Sequence, residues 1–318
     1  MVKYYRLTLE ERYQIEALLT SGMSLRGIAR QLKRSPSTLS REVRKLGCPY
    51  EAFSSDQRTQ DLRRTLHPEL RKIQGALEDY VREKIGQDWS PEQIAGWLRH
   101  KKNGKLSHQT IYRYLRRDKA KKGSLCKHLR ILSRPKQRPK ALRKPTALGE
   151  RTMIDQRPSV VEERNRLGDY ERDTMMGKWN GPFLLTMVDR TSRYAKIAWV
   201  KRKCSVLVHR ATVKHLREEP VKTITNDNGS EFSKHKRTAR ALKAKVYFSQ
   251  PYHSWERGTN ENFNGLLRQY FPRRMDLSEV TSEELKSVED LLNNRPRKCL
   301  GFKTPFEVQE QLKRQVLR

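Results

Sequence analysis

The chain has 318 residues, with 69 Lys and Arg against 36 Asp and Glu, which gives a formal net charge of +33. Such a basic excess suits a polyanionic partner and predicts nucleic-acid binding. No apolar run approaches the roughly 18 residues of a membrane span, no apolar signal-peptide core opens the chain, and the four cysteines form no CxxC pair. These features exclude a membrane protein and a zinc ribbon, and they predict a reduced, intracellular protein.

The first 48 residues have the pattern of a helix-turn-helix DNA-binding domain. Thr8 and Glu11 form a capping box before the first helix, Ser24 caps a second helix, and Ser35 caps a third after a three-residue break. A purely structural three-helix bundle is the alternative. If the unit binds DNA, four side chains of the third helix are expected to contact base edges and phosphates: Ser37, Thr38, Arg41 and Arg44.

A weaker copy of the same pattern spans residues 49–118. One helix opens at Ser90 and the next is capped by Ser107, with Ile111 and Leu115 facing inward. The side chains left facing outward are Gln109, Tyr112, Arg113 and Arg116. This unit is predicted either to bind DNA, with the glutamine pairing to an adenine edge, or to pack without touching DNA.

Residues 119–160 are predicted to be a basic linker. From Asp118 to Pro145 the chain carries 11 basic residues and one acidic residue, and its few apolar side chains cannot build a domain. Such a segment can lie along phosphates, or it can be a solvated spacer.

Beyond the linker the pattern changes to strands. Three extended segments are followed by helix, strand, helix, strand and helix over residues 161–275. This is the element order of the ribonuclease H fold, and residues 276–318 are predicted to complete it with helices. The predicted protein is therefore multidomain: N-terminal all-α helix-turn-helix units followed by an α/β ribonuclease-H-like, retroviral-integrase-like catalytic domain.

Three acidic residues take notable places in that order. Asp173 lies in the first strand, Asp227 follows the fourth strand, and Glu261 lies on the helix after the fifth. Since the first and fourth strands are neighbours in this fold, the three carboxylates can converge at one edge of the sheet. Hard oxygen donors suit Mg²⁺. Two such ions, about 3.5–4 Å apart, can promote in-line phosphoryl transfer.

Geometry alone does not choose within the first strand, because Asp169, Glu171 and Asp173 share one face. Other acidic residues are alternatives for two of the three carboxylates. Asp189 could take the place of Asp173, and Glu231 or Glu256 could take the place of Glu261.

The sequence resembles bacterial insertion-sequence transposases of the DDE class, specifically the IS-thirty family. The motifs that carry the resemblance are LTLEERYQIEALL, RSPSTLSRE, WSPEQIAGWL, SHQTIYRYL, TNDNGSEF, PYHSWERGTNENFNGLLRQYFPR and NNRPRKCLGFKTPFEV. They cover nearly the whole chain. Ser254 stands where the family often has tyrosine, a minor departure.

The resemblance selects Asp173, Asp227 and Glu261 as catalytic, metal-binding residues, and implies that Arg257 and Arg268 contact DNA ends rather than form a solvated helix face. It implies two Mg²⁺ ions, with Mn²⁺ able to substitute. It also implies cleavage and strand transfer on double-stranded DNA, at terminal inverted repeats and a target, without a covalent protein–DNA intermediate. A homo-oligomer of at least two chains, in the cytoplasm at the bacterial nucleoid, completes these expectations.

Two other functions remain open at this point. A non-catalytic, sequence-specific repressor derived from a transposase would keep the DNA-binding half. A stand-alone nuclease of the same fold would cut DNA without joining strands.

Overall fold

The structure is a computed structural model that describes residues 6–44, 49–65, 73–102, 104, 106–130, 150–178, 181–251 and 253–316. Most of the predicted basic linker, residues 131–149, lies outside these ranges. Contacts within the chain divide it into two compact units, Met1–Gln74 and Gly75–Arg318. Each unit is described by itself below.

The first unit is all helical. Its helices are α1 (Leu9–Thr20), α2 (Leu25–Gln31), α3 (Pro36–Arg44) and α4 (Ala52–Thr65). The capping box predicted at the start of α1 is present, since the Thr8 side chain accepts from the Glu11 amide and the Glu11 carboxylate accepts from the Thr8 amide. Ile15, Ile28 and Leu39, one from each of the first three helices, form the centre of the core.

Beside this apolar core lies a buried ion network. Arg12 Nε donates to Glu42 Oε1 at 2.6 Å, and Arg12 Nη1 donates to Asp56 Oδ1 at 2.7 Å. The Ser55 hydroxyl donates to the same Glu42 oxygen at 2.7 Å. The network links α1, α3 and α4 through directional hydrogen bonds, which apolar contacts do not provide.

The second unit begins with three helices, of which the middle one contacts the C-terminal segment. They are α5 (Ala76–Gly86), α6 (Pro91–Lys102) and α7 (His108–Ala120). Gln93 Nε2 donates to the Pro296 carbonyl at 2.8 Å, and Lys298 pairs with Glu92 at 2.7 Å. Gly96 lies under the Phe302 ring, where a Cβ would meet a ring carbon at 2.2 Å.

The rest of the second unit is built on a five-stranded mixed sheet. The strands are β1 (Asp169–Met176), β2 (Phe183–Asp189), β3 (Ala195–Val200), β4 (Thr223–Asn226) and β5 (Lys245–Phe248), in the spatial order β3-β2-β1-β4-β5. The first three strands pair antiparallel, whereas β1 with β4 and β4 with β5 pair parallel. The remaining helices are α8 (Val160–Glu163), α9 (Ser205–Leu216), α10 (His235–Leu242), α11 (Gly258–Leu267), α12 (Ser282–Asn293) and α13 (Pro305–Val316).

Both faces of this sheet are buried. Alternate residues of β2 point to opposite faces, so Leu185 and Met187 join the core under α9, while Leu184 and Val188 join the core under α11 and α12. The predicted order of three strands, helix, strand, helix, strand and helix is confirmed. Within the described ranges, no helix combines the length and apolarity that a membrane span requires.

Candidate active site

Two of the three acidic residues on one face of β1 serve the fold. Asp169 is 1% exposed and accepts from Arg166 Nε at 2.8 Å. Glu171 is fully buried, lies 3.1 Å from Arg190 Nη1, and accepts from the backbone amide of Asn260 at 2.8 Å. Both carboxylates are therefore buried and already paired within the fold.

Asp173, the third residue of that row, is different because its side chain is 23% exposed. Its Oδ1 accepts from the Thr174 amide at 2.8 Å, and its Oδ2 accepts from Asn264 Nδ2 at 3.0 Å. The carboxylate is thus oriented by neutral donors and still reaches solvent. It is the member of the row placed to meet a ligand.

Asp227 lies directly after β4, the parallel neighbour of β1. The Gly229 amide donates to Asp227 Oδ1 at 3.0 Å, which fixes the turn. Burial raises the pKa of the Asp227 carboxyl above its ordinary value, and the negative charges of Asp173 and Glu231 add to the rise, whereas the Arg257 cation opposes it. A carboxylate in this position gains from any further cation nearby.

Arg257 links the two carboxylates. Its Nη1 lies 3.5 Å from Asp173 Oδ1, and its Nη2 lies 3.6 Å from Asp227 Oδ2. Its Nε and Nη1 are buried and form no hydrogen bond to the described residues. Charge-assisted hydrogen bonds have lengths of about 2.7–2.9 Å, so these two pairs are held by charge and not by tight bonds.

Glu261 is placed one helical turn beyond Arg257, in the first turn of α11, with an exposed side chain. Among the described residues, no three His, Cys, Asp or Glu side chains converge on a common metal position. The structure thus brings Asp173 and Asp227 together around Arg257 and leaves the Glu261 side chain exposed to solvent.

Arg268, the other predicted DNA-end contact, ends α11. Its Nη1 is 3.5 Å from the Phe271 carbonyl oxygen. Burial, followed by the like charge of Arg273, lowers its pKa. The Arg268 side chain is half-buried, whereas a solvated helix face would leave it exposed.

Two residues that position the carboxylates were not assigned that role from the sequence. Asn264 holds Asp173, and it in turn lies 2.9 Å from the hydroxyl of Thr186 on β2. Arg172, a buried residue of β1, donates to Asn226 Oδ1 at 2.9 Å and so anchors the residue before Asp227. The signals were a polar residue facing the sheet from α11, and an arginine inside a strand that is otherwise buried.

The acidic residues that competed for the site have partners of their own, although Glu231 also accepts from the Thr174 hydroxyl, next to Asp173, at 3.0 Å. Asp189 accepts from the amides of Gly168, Thr191 and Ser192 at 2.9, 3.0 and 2.7 Å, as a turn residue does. Glu231 pairs with Lys203 at 3.0 Å, and Glu256 accepts from the Gln250 amide at 2.9 Å.

Comparison with known proteins identifies the family. A model described as a helix-turn-helix domain matches residues 3–46. The transposase for insertion sequence element IS4351 of Bacteroides fragilis is 39% identical over 96% of this chain and 96% of its own. Transposase InsI for insertion sequence element IS30A of Escherichia coli K12 is 40% identical over 96% of this chain and 83% of its own. The chain belongs to the IS30 family of insertion-sequence transposases.

The family and the N-terminal helix-turn-helix unit predicted from the sequence are both confirmed. Among solved structures, the crystal structure of the catalytic core domain of BIV integrase covers 47% of the transposase and 98% of its own chain, at 17% identity and a TM-score of 0.37. The fold of the transposase rests on the strand order and pairing described above.

The candidate DNA-reading side chains of the transposase lie on α3 and α7. On α3, Ser37, Arg41 and Arg44 are exposed, and Thr38 is half-buried. On α7, Gln109, Arg113 and Arg116 are exposed, and Tyr112 is half-buried with its ring edge against His108. Each helix thus presents its polar stripe away from its own core.

Proposed function

We propose that this transposase cleaves DNA at the terminal inverted repeats of its insertion sequence and transfers the freed strand, using Asp173, Asp227 and Glu261. The pairing of Asp173 and Asp227 with one guanidinium carries the proposal. These carboxylates come from adjacent parallel strands, reach solvent and share a cation. The neighbouring carboxylates of β1, Asp169 and Glu171, are buried and already paired.

Divalent metal ions fit this donor set. The long contacts to Arg257 leave lone pairs on both carboxylates. Burial is the main cause of the raised pKa of Asp227, and a further cation beside the carboxylate would favour its charged form. Asp173 and Asp227 would hold the ions, with Glu261 supplying the outer ligand. We propose Mg²⁺, two ions, with Mn²⁺ able to substitute. When bound, such ions stabilise the attacking and leaving oxygens of an in-line displacement.

Two displacements make up the reaction. In the first, a water oxygen bonds to phosphorus while the P–O3′ bond breaks, and the departing 3′-oxygen takes up a proton as the water loses one. In the second, the freed 3′-hydroxyl bonds to a target phosphorus while a P–O3′ bond of the target breaks. In this proposal Arg257 and Arg268 would donate to phosphate oxygens at the DNA end, and Asn264 would keep Asp173 oriented.

The division of labour follows the predicted domains. Residues 1–48 and 49–118 bind the terminal repeats, 119–160 link them to the catalytic part, and 161–275 carry the chemistry with the helices of 276–318. The active form is a homo-oligomer, at least a dimer, that holds two DNA ends together.

The test uses purified protein and a labelled duplex that carries the DNA flanking its own gene. With Mg²⁺, we expect site-specific nicking and joined products on a denaturing gel, and we expect Glu261→Gln to bind equally well but to lose both products. Tight binding without cleavage, in Mg²⁺ and in Mn²⁺, would instead establish a repressor. Cleavage of any duplex without joining would establish a nuclease.

A further inference from the structure

Trp255 is the most exposed large apolar side chain among the described residues, at 69%. It lies in a 3-10 turn, Ser254–Arg257, between β5 and α11. Its indole is stacked on the His253 imidazole, with ring centroids 4.4 Å apart and planes at 26°. A single exposed apolar residue is ordinary on a protein surface, so the position of this one has to carry the inference.

The His253 imidazole on which the Trp255 indole stacks is itself held in place. His253 Nδ1 lies 3.1 Å from Glu256 Oε1, and the other oxygen of that carboxylate accepts from the Gln250 backbone amide at 2.9 Å. The indole therefore rests on an imidazole that is itself held to the backbone. Such a stack keeps an aromatic face in place instead of letting it fold onto the nearest apolar surface.

The same turn ends at the centre of the candidate active site. Trp255 precedes by two residues the arginine that lies 3.5 and 3.6 Å from Asp173 and Asp227. Two residues of chain span at most about 7 Å. Trp255 and Arg257 therefore lie close together in one turn, and a base stacked on the indole would belong to DNA near a phosphate held at Arg257.

An exposed, supported aromatic face in a strongly cationic protein fits one ligand class, a nucleobase. Every base has a π-face, and stacking on an aromatic side chain tightens binding about tenfold or more. A paired base inside a duplex hides both faces, so only an unpaired base can use the platform. We infer that Trp255 stacks on a base unpaired beside the scissile phosphate, and that the protein opens the DNA end locally before it cuts.

This inference rests on the proposed strand cleavage, and its test is designed to separate the two. Cleavage is followed in single turnover on two matched duplexes, one fully paired and one with two mismatched pairs at the cleavage position. The native chain is compared with Trp255→Ala, Trp255→Phe and Trp199→Phe. Trp199 is a suitable control because it is also exposed, at 39%, but is anchored by a hydrogen bond from its Nε1 to the Leu277 carbonyl at 2.7 Å.

We expect Trp255→Ala to cut the paired duplex about tenfold more slowly, and to recover most of the native rate on the mismatched duplex, where opening has already been done. Trp255→Phe keeps a stacking face and should stay within about threefold of the native rate on both. Trp199→Phe should match the native chain on both.

Two results would overturn the inference. One is a native rate for Trp255→Ala on paired DNA. The other is an equal loss on both duplexes, which would show that the residue positions Arg257 and does not bind a base. If the native chain cuts neither duplex, the proposed function fails and the inference falls with it.

Discussion

The N-terminal helix-turn-helix unit and the helices α5–α7, which the sequence predicts to be a second such unit, are stabilised differently. The first has a core of its own, reinforced by the buried Arg12–Glu42 pair. The second is held by residues more than 200 positions further along the chain: Gln93 donates to the Pro296 carbonyl, and the Phe302 ring lies over Gly96. A shared pattern of capped helices therefore specifies the local motif and says nothing about what completes its core.

The difference bears on function. A unit with a complete core can devote its outer helix to DNA. A unit that shares its core with the C-terminal segment of the catalytic half has a structural task as well, whether or not it touches DNA.

The buried network of the first unit should give the largest loss of stability. Arg12→Met leaves Glu42 buried without its ionic partner, which costs about 3–5 kcal/mol. Circular dichroism during urea unfolding measures the change. Arg30→Met is the matched control, because Arg30 is an exposed arginine on α2 and should change the free energy of unfolding little. An equal effect of the two variants would contradict the account.

The glycines of the two regions should respond in opposite directions to alanine. Gly96→Ala forces a methyl group into the Phe302 ring, which must move, and we expect a loss of about 1–3 kcal/mol. Gly27→Ala on α2 meets Met23 Cγ of a flexible side chain at 3.1 Å and Ser24 Oγ at 3.4 Å, and it gains helix propensity, so it should be neutral or stabilising. Thermal unfolding of both variants decides the point, and a stable Gly96→Ala would show that α6 does not depend on the C-terminal segment.

DNA binding tests whether both polar helices contact the duplex. Arg41→Ala on α3 should weaken binding to the terminal repeat by about 1–3 kcal/mol, and should reduce the salt dependence if the contact is to a phosphate. Arg116→Ala on α7 is predicted to do the same if the second region binds DNA, and to do nothing if it only packs. Lys286→Ala, in an acidic stretch of α12, is the control. Fluorescence anisotropy at several salt concentrations measures all three.

Replacing Asp227 by asparagine should slightly increase the stability of the folded state. A carboxyl with a raised folded pKa destabilises the folded state once pH exceeds its unfolded pKa, because the unfolded chain loses the proton more readily. Asp227→Asn should therefore be slightly more stable than the native chain at pH 7, and this advantage should vanish as pH falls below both pKa values. Urea unfolding at pH 4 to 7 measures it, and a less stable variant at pH 7 would be contrary to the stated cause of the shift.

Much of the fold was predictable because the patterns were local. Capping boxes, a proline at a first helical position and runs of alternating apolar residues depend only on near neighbours, and the order of strands and helices followed from them. The packing of α5–α7 was not predictable in this way. It depends on contacts such as Lys298 with Glu92, which join segments whose separation carries no sequence signal.

The site was predictable in part. Adjacent strands placed Asp173 beside Asp227, and the order of elements was enough to foresee it. The roles of Asp169 and Glu171 were not foreseeable, since three acids on one strand face look alike until their partners are known. The position of Arg257 between the carboxylates depends on how one turn meets the sheet, which short motifs do not encode.

The most direct test of the central claim is calorimetric titration of Mn²⁺ into the protein bound to an uncleavable terminal-repeat duplex. The native chain should bind the ion, and Asp173→Asn and Asp227→Asn should each weaken binding at least tenfold. Asp189→Asn is the control, because Asp189 serves a turn, and this variant should bind the ion as the native chain does. Equal affinity in all four proteins would contradict the assignment of Asp173 and Asp227 as the metal-binding pair.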